Sequence, residues 1–108
     1  MDTKPETPLL VVTTVGNRED ALMLARSLID LRLAACAQIG AIESVYRWQG
    51  ALHQEPEFRV LLKTRGGVYA QVEAAIRERH PYELPAIHAI PTSHAEPAYA
   101  AWVADSVG

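Results

Sequence analysis

The sequence has little of what usually anchors chemistry in a small protein. Cys36 is the one cysteine in 108 residues. That excludes an intrachain disulfide framework and any CxxC metal or redox site, and it fits a reducing compartment. There is one Phe, so Leu, Ile, Val and Ala must fill most of a core. Basic residues are not in excess: the net charge is −3, and no basic stripe marks a nucleic-acid surface. No apolar run reaches membrane-spanning length. The start, Met1-Asp2-Thr3-Lys4-Pro5-Glu6-Thr7-Pro8, is polar, carries two prolines and lacks an apolar signal core. These absences predict a cytoplasmic protein with neither a nucleic-acid nor a membrane partner. Residues 1–8 read as a flexible lead and residues 9–108 as one domain. There is also no Walker-type loop, no nucleophile elbow, and no histidine pair at i, i+4 or His-x-His spacing. Ser44, Ser93 and Thr64 are nucleophiles by type only. Glu43, Glu55, Glu57 and Glu83 form no distinguishable acid/base pair, so the chain is expected not to be an enzyme.

What is present is a clear alternation of elements. Leu9-Leu10-Val11-Val12-Thr13-Thr14-Val15 is a β-branched run without polar alternation, as in a strand covered on both faces. Asn17 is placed to cap a helix over 18–33, with Glu19 and Asp20 in its first turn. Ala21, Ala25 and Leu28 form its inner line and Glu19, Met23, Arg26 and Asp30 its outer one. Ala34 to Ile39 lead into a second strand, and Gly40 suggests a bulge or bend before the hairpin. The stretch from Ile42 to Leu52, with Gln49-Gly50, and the run from Phe58 to Thr64 predict a long hairpin. A second helix runs over 68–79 with Val68, Val72, Ala75 and Ile76 as its stripe, and Pro81 ends it. Residues 85–91 read as an edge strand with a proline at each end. A last helix starts near Glu96 or Pro97. The order β-α-β-β-α-β plus a C-terminal helix predicts an α+β, ferredoxin-like sandwich with a four-stranded antiparallel sheet. The first and third strands would be central and the second and fourth would be edges.

Several side chains could bind something. Ser44, Tyr46 and Trp48 share a strand face, and two aromatics so far from the core either pack within the hairpin or dock on another subunit. An unprotected edge strand favours pairing between copies. His80 and Glu83 flank Pro81-Tyr82. Together they could ligate zinc or copper, although His80 could equally cap its helix. Lys63 and Arg65 leave a strand on one face beside Gly66-Gly67, an arrangement that could hold a small anion. Cys36 reads as a small buried side chain, His88 as a half-exposed strand residue, and His53 and His94 as exposed.

Five patterns occur in register: Arg32-Leu33-Ala34-Ala35-Cys36, Ser44-x-Tyr46-Arg47-Trp48-x-Gly50, Lys63-Thr64-Arg65, His80-Pro81-Tyr82-Glu83-x-Pro85 and Tyr99-x-x-Trp102. Their order and spacing, over residues 9 to 105, resemble the CutA family of divalent-cation tolerance proteins. The resemblance implies a ferredoxin-like subunit in a homotrimer akin to the PII signalling proteins, with Tyr46, Trp48 and Trp102 at the trimer interface. It also implies copper tolerance and binding of Cu(II) or another divalent metal ion, with His80 and Glu83 as ligands. His80, Tyr82 and Glu83 of one chain would then face Tyr46, Trp48 or Lys63 of another across an intersubunit cleft. The alternative is a PII-like signalling protein that binds a small anionic ligand in that cleft, through Lys63 and Arg65. One position departs from the pattern. Thr13 stands where some copper-linked members have Cys, and a hydroxyl is a poor copper ligand beside a thiolate.

Overall fold

The two most apolar runs lie side by side at the centre of one sheet. The computed structural model describes residues 4–108. Its strands are β1 (Pro8–Val15), β2 (Cys36–Trp48), β3 (Ala51–Arg65) and β4 (Ile87–Pro91). They are ordered β2-β3-β1-β4 with every neighbour antiparallel. The helices are α1 (Arg18–Asp30), α2 (Tyr69–Arg79) and α3 (Pro97–Ser106). This is the expected ferredoxin-like arrangement, with β1 and β3 inside and β2 and β4 at the edges.

Alternation along the strands sorts the two faces. Val11 and Val15 of β1 and Val60 and Leu62 of β3 meet Leu24 and Leu28 of α1 and Val72 and Ile76 of α2, all fully buried. The opposite face carries α3, which packs on β3 and β1. Lys63, turned away from the core one residue after Leu62, brings its Nζ to 5.8 Å from the Tyr99 ring centroid on α3.

Several expected details differ. Helix α1 stops at Asp30, not Leu33. Arg32 takes a left-handed backbone, φ 57°. The Arg32 amide then donates to Ile29 O and the Leu33 amide to Leu28 O, each at 2.9 Å. That is a Schellman ending with arginine in glycine's usual place. Gly40 makes no bulge: the β2–β3 ladder runs unbroken from Cys36 opposite Lys63 to Trp48 opposite Ala51. A Cβ on Gly40 would meet nothing within 4 Å, so nothing in the structure requires glycine there.

The hairpin turn is tight. Gln49 and Gly50 both have positive φ, 50° and 81°, as a two-residue type I′ turn demands. Strand β3 begins at Ala51, well before the apolar run at Phe58. Because β1 pairs only as far as Phe58, residues 42–57 project as a two-stranded arm. Pro56, opposite Glu43, lies past the end of β1, where a flank without a neighbouring strand tolerates a missing N–H.

The N-terminal lead is docked over residues 4–8. The Gly66 and Gly67 amides donate to Thr7 O and Pro5 O, both at 2.9 Å, and Pro8 opens β1. The first three residues of the expected lead lie outside the described ones. Strand β4 begins at Ile87, two residues after the expected start.

Candidate functional site

A cleft of about 410 Å³ opens on the sheet face away from α1 and α2. Its location follows from register. Val15 sits opposite Phe58 on the core face, so Thr14 and Glu57 turn to the other one. Across the hairpin, Glu57 pairs with Ile42, Glu55 with Ser44 and His53 with Tyr46. Thr14, Glu55, Glu57, Tyr46 and Trp48 therefore share one face. The loop after α2 closes the cleft with Tyr82, Glu83 and Leu84. This loop passes close to the end of β1, where a Cβ on Gly16 would lie 3.3 Å from the Tyr82 hydroxyl.

His80 holds that loop. Pro81 ends α2 at His80, whose backbone is extended (φ −73°, ψ 134°). Its Nδ1 accepts from the Tyr82 amide at 3.0 Å, so the proton sits on Nε2. Nε2 donates to Thr14 O at 2.9 Å. Burial holds the imidazole below its usual pKa, opposed by the Thr14 carbonyl and by Asp20 and Glu57. His80 is thus a neutral clasp between α2 and β1, with both ring nitrogens engaged.

Glu83 lines the cleft and His80 does not, since both of its ring nitrogens are engaged behind the loop. Among the described residues, no group of three or more His, Cys, Asp or Glu side chains is set to hold a metal ion. By donor chemistry, a divalent ion in the cleft would draw on the carboxyl groups of Glu55, Glu57 and Glu83. Oxygen donors of this kind suit harder ions than thiolate sites do.

The two tyrosines are tied to two glutamates. The Tyr82 hydroxyl donates to Glu57 Oε2 at 2.7 Å. Burial, and then the bond to Glu57, pushes the Tyr82 phenol far up. The Tyr46 hydroxyl donates to Glu55, and that bond is the main reason its phenol is raised. Tyr46 also stacks on His53, with ring centroids 5.2 Å apart. His53 is therefore half-buried under Tyr46 rather than exposed. Glu57 is only 8% exposed, while Trp48 and Leu84 stand open to solvent.

The sequence-predicted residues divide. Tyr46, Trp48, Tyr82 and Glu83, expected to face one another from different chains, line one cleft within a single chain. Lys63 and Arg65 are elsewhere. Lys63 lies over Tyr99, and Arg65 pairs with Glu6 at 3.7 Å. The Gly66 and Gly67 amides, expected as anion donors, are taken up by the N-terminal lead. Trp102 projects from α3, 6.3 Å from Tyr99, and is exposed. Cys36 is half-buried, less covered than expected, and His88 is exposed. Thr64, a nucleophile by type, is fully buried and donates to Leu33 O at 2.7 Å.

Sequence reasoning did not single out Thr14, Glu55 or Glu57 as neighbours. A signal was there: a two-residue turn at Gln49-Gly50 fixes the hairpin register, which puts Glu55 and Glu57 on the face of Tyr46 and Trp48.

Known proteins share both the sequence and the architecture. The family described as CutA1 divalent ion tolerance protein matches residues 9–106. A divalent-cation tolerance protein CutA from Thermus thermophilus is 33% identical over 92% of this chain and 97% of its own. The crystal structure of CutA1 from Ehrlichia chaffeensis superimposes with a TM-score of 0.89 at 34% identity, over 93% of this chain and 94% of that one. CutA1 from the psychrotrophic bacterium Shewanella sp. SIB1, described as a stable protein, gives 0.90 at 35%, over 96% and 97%. None of these descriptions carries a catalytic activity. With the family matched over nearly the whole sequence and the fold matched in three dimensions, the chain belongs to the CutA1 divalent ion tolerance family.

Proposed function

We propose that the protein is a cytoplasmic homotrimer that binds divalent cations, Cu(II) among them, and acts by binding rather than by catalysis. The observation that carries the cation reading is the cleft itself: among the described residues three glutamates line it and no lysine, arginine or histidine does. Glu83 and Glu55 supply the accessible ligands, with Glu57 beneath them. Thr13 contributes none, since its side chain is fully buried. His80 positions the loop and joins the ligand set only where the ion displaces its bond to the Tyr82 amide. Support for assembly comes from β2, an edge strand with one unpaired flank, and from Tyr46, Trp48 and Trp102, all more than a third exposed. Such a surface is suited to burial against another copy.

Titration calorimetry with Cu(II) tests the cation reading. The Glu55→Gln/Glu83→Gln protein should bind at least about tenfold more weakly, a loss of about 1.4 kcal/mol. Unchanged affinity would remove the cleft as the metal site. The alternative, a small anion at Lys63 and Arg65, has less support, because Arg65 is paired and the neighbouring amides are occupied.

A further inference from the structure

We propose that each cleft is completed by a second copy of the chain: in the assembled protein the Arg59 guanidinium of one protomer pairs with the Glu57 carboxyl group of the next. The pair presupposes the trimer proposed above and adds a contact that fixes how its protomers meet. Glu57 is the first reason. More than nine-tenths of this residue is buried already in the single chain. Among the described residues its one side-chain hydrogen bond is from Tyr82, to Oε2, and no cation lies within 4 Å of it. It shares a face with Tyr46 and Trp48, so assembly that covers those rings withdraws it further from water. A carboxylate left there without a counter-charge is costly, and its Oε1 is open to a donor.

Arg59 is the second reason. Alternation along β3 turns Arg59, Lys63 and Arg65 to the same face as Glu57. Lys63 lies over Tyr99, and Arg65 pairs with Glu6. Arg59 is exposed and, among the described residues, makes no ion pair. It sits opposite Thr14, beside the cleft, yet within its own chain it does not pair with Glu57, two residues back. Arg47 alternates to the other face of the arm. The face that assembly covers therefore carries a carboxylate without a cation and a guanidinium without an anion.

Symmetry is the third reason. Three copies close a ring by head-to-tail contacts, so every interface joins two different patches of the chain. Glu57 and Arg59 supply such patches, of opposite charge and both unpaired. Burying either alone is costly, and burying them together satisfies both. The planar guanidinium donates to Oε1 in a fixed direction, which sets the docking register as well as neutralising the charge. Glu55 and Glu83 stay at the mouth of the cleft, where they remain free for a metal ion.

Native mass spectrometry of two co-expressed chains, one of them tagged, tests the pair. Glu57→Gln keeps an acceptor for Tyr82, and Arg59→Gln changes an exposed side chain. Neither variant alone can form the pair, within a chain or between chains. In a mixed trimer, Glu57 of an Arg59→Gln chain meets Arg59 of a Glu57→Gln chain and one pair returns. Mixed trimers should therefore exceed the share that random mixing of equal amounts gives, while tagged and untagged native chains mix at random. Variants that also mix at random overturn the pair and leave the trimer standing. A native protein that is not a trimer overturns both. If Glu57→Gln does not fold, a benzophenone label on Arg59→Cys in a Cys36→Ser background decides. Irradiated in trimers mixed with an isotope-labelled native chain, it should cross-link to residues 55–57 of that second chain. Cross-links confined to its own chain, or reaching the second chain elsewhere, overturn the pair.

Discussion

Thr13 is fully buried, and its Oγ1 is the buried side-chain polar atom left without a partner among the described residues. It faces the core between Val11 and Val15. An unsatisfied buried hydroxyl costs on the order of 1–3 kcal/mol. Thr13→Val keeps the shape and removes the orphan, so it should raise stability by about 1 kcal/mol or more. A higher urea midpoint at unchanged m-value, at fixed protein concentration, checks it. His80 makes a pH prediction. Its folded pKa is lowered from an ordinary value of about 6.5, so the unfolded chain takes the proton more readily. Its contribution is complete above about pH 6.5 and is lost as the pH falls through that value toward the folded one. The melting temperature should therefore drop between pH 7 and 5, and His80→Asn should show a shallower slope over that window. Individual roles such as these were only partly legible in the sequence. His80 was visible as both a ligand and a cap, because choosing between them needs the Thr14 carbonyl, 66 residues away. Glu57 looked like any solvated glutamate until a tyrosine 25 residues on covered it.

At the scale of elements, the pattern of side chains was a better guide. The run at 9–15 announced a central strand because both of its faces are apolar, and the run at 58–64 announced the other because Phe58, Val60 and Leu62 line one face of it. The stripe Val68, Val72, Ala75, Ile76 announced the inner side of α2 and of the 3-10 turn that precedes it, and all four are buried. Ends were less legible where no residue type marks them. Arg32 holds a left-handed conformation that glycine would hold at lower cost, so α1 appeared three residues too long. Arg32→Gly should therefore stabilise the protein by roughly 1 kcal/mol, read from the same urea transition. The converse holds in the hairpin: Gly50→Ala forces a Cβ into φ 81° and should cost about 1–2 kcal/mol. Equal stability of either variant would mean that these turns relax freely. The polar start of β3, Leu52-His53-Gln54-Glu55-Pro56-Glu57, concealed a strand because it pairs on one side only and packs no core.

The whole molecule is a sandwich with one face closed by α1 and α2 and the other only partly covered by α3. The projecting arm and the carboxyl-lined cleft lie on the second side. Assembly should bury the exposed aromatics of β2 and α3 and tie folding to association. The melting temperature is then expected to rise with protein concentration, whereas a monomer would melt independently of it. Assembly and cation binding meet in one experiment, native mass spectrometry of the purified protein with and without stoichiometric Cu(II). The expected result is a trimer that takes up copper, with uptake reduced in the Glu55→Gln/Glu83→Gln protein. A monomer, or a trimer that takes up no copper, would contradict the central claim.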